Sequence, residues 1–567
     1  MNTSFLKFAR YIMIFLLALS SLSSYIFGKA EEPLPQPSLN APEWPMWVHE
    51  HWVWENEGTE ESALMHAKGF TKRGIPVGAV IIDRPWATDS NTFIPDPERY
   101  ANLGEYVDLF HSKGIKVIVW ATSIVNETAS NFSEGKENGY FLSGGQTVKW
   151  WGGKGALLDY TNPSAVEWWH RQMDNILDMG IDGWKVDGTD PFVMLLVPPT
   201  THEGRLITWC EYKDLCYRDF FDYTREKLGD DRIISARPVD DQLLNVGLPL
   251  VSTSRDINFA GWVGDNDNDW GGLQHALNNM FSSAKFNFVS YGSDIGGFRS
   301  DGNMYKDVFI RWAQLGAFCP IMENGGGGEH RPWMYDEETL DIYKKYTVLH
   351  HELIPYIYSQ AAYSYELVKP TMRPLVGEYT YLLGDNILAA PIFEEGEDRT
   401  ILFPEGEWIY MFDESVSYTA GIKKLSFTLD EFPAFIRKGA IIPMDVNSSL
   451  TGFGTALSKD FTTILMYPDK GSYEFGLYEQ NEKGSLISYT KDGGNLNIKC
   501  TDTKRQLLFR VFDDNTVTGI TSRNGSLQKA YSMEELISMD LGYFEDADGI
   551  LWIAVKNAVN GLDLEVF

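Results

Sequence analysis

The sequence predicts an α/β protein, a (β/α)8 TIM barrel followed by C-terminal β-sandwich domains. Three observations carry this reading. From residue 77 to 330, continuous apolar runs alternate with amphipathic helical stretches, the pattern of a parallel sheet covered on its faces. Eight such units over about 250 residues suit a closed barrel better than an open doubly wound sheet. After Glu366 helical periodicity fades, and short alternating runs separated by turn residues take over.

The elements follow in order. Lys7 and Arg10 precede an apolar, Ser-rich stretch from Tyr11 to Ile26, and Gly28-Lys29-Ala30 supplies small residues for a cleavage site. That is the layout of an export signal over residues 1–30. The run is marginal for a membrane span, so a periplasmic or secreted protein is expected, without stable membrane insertion after cleavage. The barrel is assigned to residues 31–365. Its strands are read as Val77–Asp83, Ile115–Trp120, Ala156–Tyr160, Gly183–Asp187, Arg232–Arg237, Asn258–Trp262, Phe286–Tyr291 and Ala317–Met322. Helices such as Tyr100–Lys113, Pro163–Met179, Tyr212–Leu228 and Leu273–Ala284 lie between them. Asp83, Asp159, Asp187, Arg237 and Asp294 stand at or near strand ends, which in a barrel share the C-terminal face where chemistry sits. A proximal β-sandwich is assigned to 366–450 and a distal β-domain to 451–567. Their strands come from runs such as Ile387–Ile392, Ala434–Ile442, Thr462–Tyr467 and Leu551–Val555.

Composition narrows the class of partner. A formal net charge of −31 repels nucleic acid and anionic lipid and suits a neutral or cationic ligand. The 18 Trp offer faces for sugar rings as well as core volume. Four Cys make no disulfide framework; Cys210 and Cys216 are spaced either to bridge a short loop in an oxidising compartment or to remain thiols. His49, His51 and His330 lack metal-ligand spacing, and Gly325–Gly328 lacks the Lys and Ser/Thr of a phosphate loop.

Two segments carry candidate chemistry. Gly183-Trp184-Lys185-Val186-Asp187-Gly188 and Gly261-Trp262-Val263-Gly264-Asp265 each place an Asp at the end of an apolar strand. Either Asp alone could be a helix cap. As a pair, on the fourth and sixth strands, they match the two carboxyls that glycoside hydrolysis requires, roughly 5–5.5 Å apart in retaining enzymes.

Seven motifs in order then resemble glycoside hydrolase family 31, over residues 77–445. They are Val80-Ile81-Ile82-Asp83 with Phe93 to Tyr100; Trp151-Gly152-Gly153 with Asp159 to Pro163; Lys185-Val186-Asp187; Trp262-Val263-Gly264-Asp265; Asp294-Ile295-Gly296-Gly297-Phe298; Arg311 to Phe318 with Arg331-Pro332-Trp333; and Phe435 to Pro443. The resemblance implies Asp187 as nucleophile and Asp265 as acid and then base. It implies substrate binding by Asp83, Trp151, Lys185, Arg237, Trp262, Asp294 and Glu323. Arg237 is preferred over Arg255 as the arginine near the acid/base loop. The expected partner is an oligosaccharide or glycoside, with no metal or organic cofactor. To divide the roles, Asp265 needs a raised pKa while Asp187 stays ionised beside Lys185 or Arg237.

The departures bear on the sugar. Glu323-Asn324-Gly325 stands where the family's α-glucosidases place Arg-x-His, Lys185 replaces a Trp, and Asp190 replaces a Glu. About 45 residues separate the signal from the first expected strand, too few for the N-terminal β-sandwich of most members. An α-galactosidase is therefore expected, with α-glucosidase or α-xylosidase activity, or a catalytically inactive glycan-binding protein, as alternatives. A transglycosylase or lyase on the same scaffold would share the nucleophile.

Overall fold

The structure, a computed structural model, describes residues 35–187, 199–237, 239–240, 250–251, 253–513, 515 and 517–567. The expected signal over residues 1–30 and Asp190 lie outside these residues.

Eight parallel strands close a barrel in chain order: β1 (His51–Glu55), β2 (Ala79–Ile82), β3 (Lys116–Ala121), β4 (Gly183–Val186), β5 (Ile233–Ala236), β6 (Ala260–Val263), β7 (Tyr291–Ile295) and β8 (Met322–Asn324). The closing pair sets Trp52 of β1 against Glu323 of β8. Ala-Val-Ile-Ile in β2 and Gly-Trp-Lys-Val in β4 are buried throughout, as strands enclosed by helices must be. The main helices are α1 (Glu60–Thr71), α2 (Leu103–His111), α3 (Pro163–Leu177), α4 (Trp209–Leu228), α5 (Trp270–Lys285), α6 (Lys306–Ala317), α7 (Glu337–Glu352) and α8 (Ile354–Glu366). Their starts are chemically marked. Asn162 caps α3 ahead of Pro163 at its first position, and Thr208 and Asp269 cap α4 and α5.

Four strand assignments need correction. The last two expected strands lie too early: β7 shares only Tyr291 with Phe286–Tyr291 and β8 only Met322 with Ala317–Met322, because Phe286 caps α5 and Ala317 ends α6. The first barrel strand is His51-Trp52-Val53-Trp54-Glu55, absent from the expected strands because a His and a Glu bound only three apolar residues. Conversely, Ala156–Tyr160 is no barrel strand. Gly153–Leu157 pairs antiparallel with Ile124–Asn126 and Val148–Trp150 in a separate three-stranded sheet. An apolar run reports burial, not the partner that buries it. The count of eight survived because one strand was gained and one lost. Asp159 accordingly leaves the barrel mouth: its carboxylate accepts from Thr161 N (3.0 Å), Thr161 Oγ1 (2.6 Å) and His202 N (2.6 Å).

Cys210 and Cys216 are free, the first exposed and the second buried. Both lie on α4, where six residues of helical rise separate them by about 9 Å, beyond disulfide reach.

Past the barrel, a six-stranded antiparallel sheet spans Met372 to Arg437. The run Ala434–Ile442 divides: Ala434–Arg437 closes into this sheet, whereas Ile441–Met444 pairs with Thr462–Met466 in the next. Two further six-stranded sheets, running from Ile441 and Gly471 toward the C-terminus, share one apolar core. Arg311 of α6 fastens barrel to sheet. Its buried guanidinium donates to Glu431 O (2.6 Å), Phe427 O (2.9 Å) and Thr428 O (3.1 Å). Arg311→Ala strands these carbonyls and is expected to lower stability by roughly 3 kcal/mol, read as an earlier urea midpoint at unchanged slope. A shift within error would show that water replaces the guanidinium.

Candidate active site

The C-terminal ends of the strands converge on one pocket of about 230 Å³. Asp83 follows β2, Lys185 lies in β4 with Asp187 just past its end, and Arg237 follows β5. Trp262 belongs to β6, Asp265 comes two residues after it, and Asp294 sits in β7. All of them line the pocket together with Trp151, which arrives from the turn of the three-stranded sheet. Close approach depends on glycine at two points. A Cβ on Gly264 would come within 2.6 Å of Asp294 Oδ2, and one on Gly325 would strike the Trp54 ring.

The two candidate carboxylates meet on one atom. Arg237 Nη2 donates to Asp265 Oδ2 at 2.7 Å and lies 3.5 Å from Asp187 Oδ1. Those two oxygens are therefore no more than about 6 Å apart, short of the roughly 6.5–9.5 Å of inverting glycosidases. Asp187 is fixed by its own N–H, which donates to Ala121 O at 2.8 Å, and by Trp120 Nε1, 3.4 Å from Oδ2. Asp265 holds a left-handed φ of 58°, a conformation Asp tolerates better than most residues.

Beneath the pair lies a buried cation. Lys185 Nζ sits 3.6 Å from the Trp54 ring centroid, 5.1 Å from that of Trp262 and 3.7 Å from Glu323 Oε1. Burial alone would push its pKa down, but Asp83, Glu323, Asp294 and Asp187 together push it up, so the ammonium stays charged. The carboxyls feel the reverse balance. Burial raises Asp83 to about 6 against the pull of Lys185, and it raises Asp294 and Glu323 as well.

For the central pair the electrostatics run opposite to expectation. Burial lifts Asp187, with Arg237 opposing and the Asp265 charge adding to the rise. Burial also acts to raise Asp265, but the charge and hydrogen bond of Arg237 outweigh it and hold this carboxyl low. The cause is position: the guanidinium is hydrogen-bonded to Asp265 and only near Asp187.

Residues 41–360 match the Glycosyl hydrolases family 31 TIM-barrel domain, and residues 364–442 the Glycosyl hydrolase family 31 C-terminal domain. The chain belongs to glycosyl hydrolase family 31. Alpha-glucosidase 2 of Bacillus thermoamyloliquefaciens is 26% identical over 542 residues, covering 90% of this chain and 64% of that protein. An alpha-xylosidase of Emericella nidulans is 24% identical over 432 residues, covering 71% and 54%. The cycloalternan-forming enzyme of Listeria monocytogenes, solved with a pentasaccharide substrate, superposes with a TM-score of 0.81 at 21% identity, covering 93% of this chain and 55% of that one. This family 31 chain thus spans about half to two thirds of the length of these relatives.

Within the family 31 barrel, the expected site residues divide by depth. Asp83, Lys185, Asp187, Arg237, Trp262, Asp265 and Asp294 line the pocket itself. Trp151 stands at its mouth, 55% exposed, with the Arg84 guanidinium 5.2 Å from its ring. Glu323 does not line the pocket; it is buried behind Lys185. Arg255 is elsewhere, donating to Asn287 O and Tyr365 O. Trp54, Asn56, Glu57, Arg84, Trp120 and Phe298 also line the pocket, none of them expected there from the sequence. Trp54, Asn56 and Glu57 follow from the unrecognised β1, and that strand's paired Trp residues were the available signal. His49 and His51 pack against the outer helices, held by Pro320 O and the Tyr343 hydroxyl respectively. No group of three His, Cys, Asp or Glu among the described residues is placed to hold a metal ion.

Proposed function

We propose that this family 31 chain is a retaining, exo-acting α-glycoside hydrolase, with Asp187 as nucleophile and Asp265 as acid/base. The observation that supports it is the single Arg237 nitrogen reaching both carboxylates, which keeps the two facing oxygens within about 6 Å, below the roughly 6.5–9.5 Å of inverting enzymes. Asp187 attacks the anomeric carbon, the glycosidic C–O bond breaks, and Asp265 gives its proton to the departing oxygen. Water then loses a proton to Asp265 and displaces the Asp187 ester. Asp265 becomes a competent acid once a bound sugar excludes water and loosens its contact with Arg237, leaving burial as the dominant influence. The experiment is proton NMR of the first-formed sugar from an aryl α-glycoside. The α anomer is expected first, and the β anomer would overturn the assignment.

Galactose is our reading of the sugar. Lys185, braced by buried Glu323, presents an ammonium on the pocket floor. A site built to hydrogen-bond a particular hydroxyl discriminates strongly against sugars that do not offer it. The α-xylosides are the second reading, supported by the relatives of that name and by the Trp54 and Lys185 side chains that crowd the floor. A panel of aryl α-galactoside, α-glucoside, α-xyloside and α-fucoside decides between them. The chain's place is proposed to be outside the cytoplasm, on the leader-like residues 1–30; the N-terminus of the mature protein tests this.

The half-exposed Trp151 is a platform for the leaving group. Trp151→Ala is expected to raise KM for oligosaccharides about tenfold while leaving small aryl glycosides nearly unchanged. An equal effect on both would place Trp151 against the terminal sugar instead.

A further inference from the structure

Three polar side chains at the rim of the catalytic pocket are open to a ligand. Arg84 follows Asp83 in the loop after β2, Asn56 and Glu57 follow β1, and all three line the pocket. Asn56 and Glu57 are exposed and Arg84 is half-buried. Their side chains make no hydrogen bond or ion pair among the described residues, and no Arg84 nitrogen is among the atoms buried without a partner. The other pocket cations are already engaged, Lys185 by Glu323 and Arg237 by Asp265. Arg84 keeps its donors free.

Its backbone is nonetheless held in place. Glu57 N–H donates to Arg84 O (3.3 Å), Asp96 N–H to Trp86 O (2.8 Å) and Trp86 Nε1 to Trp120 O (2.7 Å). The same loop is fastened to the three-stranded sheet that carries Trp151, because Asp89 accepts from Asn126 Nδ2 (2.7 Å) and Thr128 Oγ1 (2.6 Å). Asp96 accepts from the N–H groups of Glu98 (2.8 Å) and Arg99 (3.1 Å). The acids of the loop thus meet the loop's own donors and leave the guanidinium alone. That guanidinium lies 5.2 Å from the Trp151 ring centroid. Trp151 meets Trp120 edge-on at 6.0 Å, and Trp120 Nε1 is 3.4 Å from Asp187 Oδ2. Aromatic surface runs from the nucleophile to the rim, and Arg84 stands at its outer end.

The mixture of groups decides what fits there. An aryl or alkyl leaving group would cover three polar side chains and satisfy none of them. An anion would be drawn to Arg84 but repelled by Glu57 on the same rim and by Asp187 and Asp265 behind it. Hydroxyls suit both signs: they accept from the guanidinium and donate to Glu57 or Asn56, while the apolar face of a sugar ring lies on Trp151.

We propose that Arg84 is a specificity-determining residue for the leaving group, selecting a neutral sugar that lies against Trp151 and accepts hydrogen bonds from the guanidinium. This rests on the reading of Asp187 and Asp265 as a retaining pair. The test compares two substrates of the sugar that the aryl panel selects. One is its α-glycosyl fluoride, whose leaving atom is too small to reach the rim; the other is an α-linked disaccharide with a neutral reducing-end sugar. Arg84→Met keeps much of the side-chain length against Trp151 but removes the donors. The ratio of kcat/KM for the disaccharide over the fluoride is expected to fall about tenfold, mainly through KM, and Arg84→Lys is expected to recover part of it. An unaltered ratio overturns the proposal. A wild-type preference for a disaccharide ending in a uronate also overturns it, since the rim would then be an anion site. In crystals of Asp187→Ala with the disaccharide, the reducing-end sugar is expected within hydrogen-bond distance of the Arg84 guanidinium. A sugar bound elsewhere overturns the assignment even if Arg84→Met does not fold. Failure of the catalytic reading looks different: the wild-type chain would hydrolyse neither substrate.

Discussion

Asp187→Ala is expected to lower kcat on every α-glycoside by about 10⁴-fold or more, whereas Asp265→Ala discriminates by leaving group. Removing the nucleophile blocks the first displacement whatever departs. Removing the acid costs about 10²–10⁴-fold only where the departing oxygen needs a proton. An alkyl glycoside or disaccharide therefore suffers, and a dinitrophenyl glycoside forms its ester at a nearly normal rate. Azide separates the two roles stereochemically. In Asp187→Ala it occupies the vacated nucleophile side and yields a β-glycosyl azide. In Asp265→Ala it attacks the Asp187 ester from the opposite face and yields an α-glycosyl azide. Exchanged anomers would exchange the two assignments, and near-normal rates in either variant would remove that residue from the chemistry. Both aspartates are partly exposed to the pocket and sit past strand ends, so neither substitution opens a core cavity.

How far the site could be read beforehand follows from the range of the interactions involved. Asp187 and Asp265 were legible because each stands at the end of an apolar strand beside glycine, a local pattern with a local cause. The helices α3, α4 and α5 were legible for the same reason, through spacing and end-capping residues. What failed was partnership. Ala156-Leu157-Leu158 is as apolar as a barrel strand, yet its hydrogen bonds go to Ile124–Asn126. His51–Glu55 is only moderately apolar, yet β2 and β8 flank it on both sides. Trp54 consequently stayed hidden, although it supplies the aromatic face under Lys185. Glu323 was picked out as a departure from the family pattern, but its depth behind Lys185 depends on β1, β4 and β8 meeting in space. The inverted electrostatics of the central pair had no sequence signal at all, because they turn on which carboxylate the Arg237 fork engages.

That fork sets the second large expectation. Arg237→Met keeps much of the side-chain length and its packing on Trp262, whose ring centroid lies 4.8 Å from the guanidinium carbon, but removes the charge. The rate constant kcat/KM is expected to fall about 10²–10³-fold, and the pH profile should move in a defined direction. Arg237 favours the ionised form of both carboxyls, so its removal raises both pKa values. The acid limb, where Asp187 must lose its proton, then moves to higher pH. The alkaline limb, where Asp265 must keep its proton, moves the same way, and the whole bell shifts to the alkaline side. Arg237→Lys retains a charge but not the planar two-pronged geometry. It is expected to restore the position of the profile better than its height. A profile that stays in place in Arg237→Met would reduce Arg237 to a scaffold, and a shift to the acid side would contradict the observed hydrogen bond. The distinction matters because one guanidinium near two carboxylates cannot favour both protonation states that catalysis needs. The resting structure holds Asp265 ionised, and on the proposed assignment substrate binding reverses this before the first proton moves.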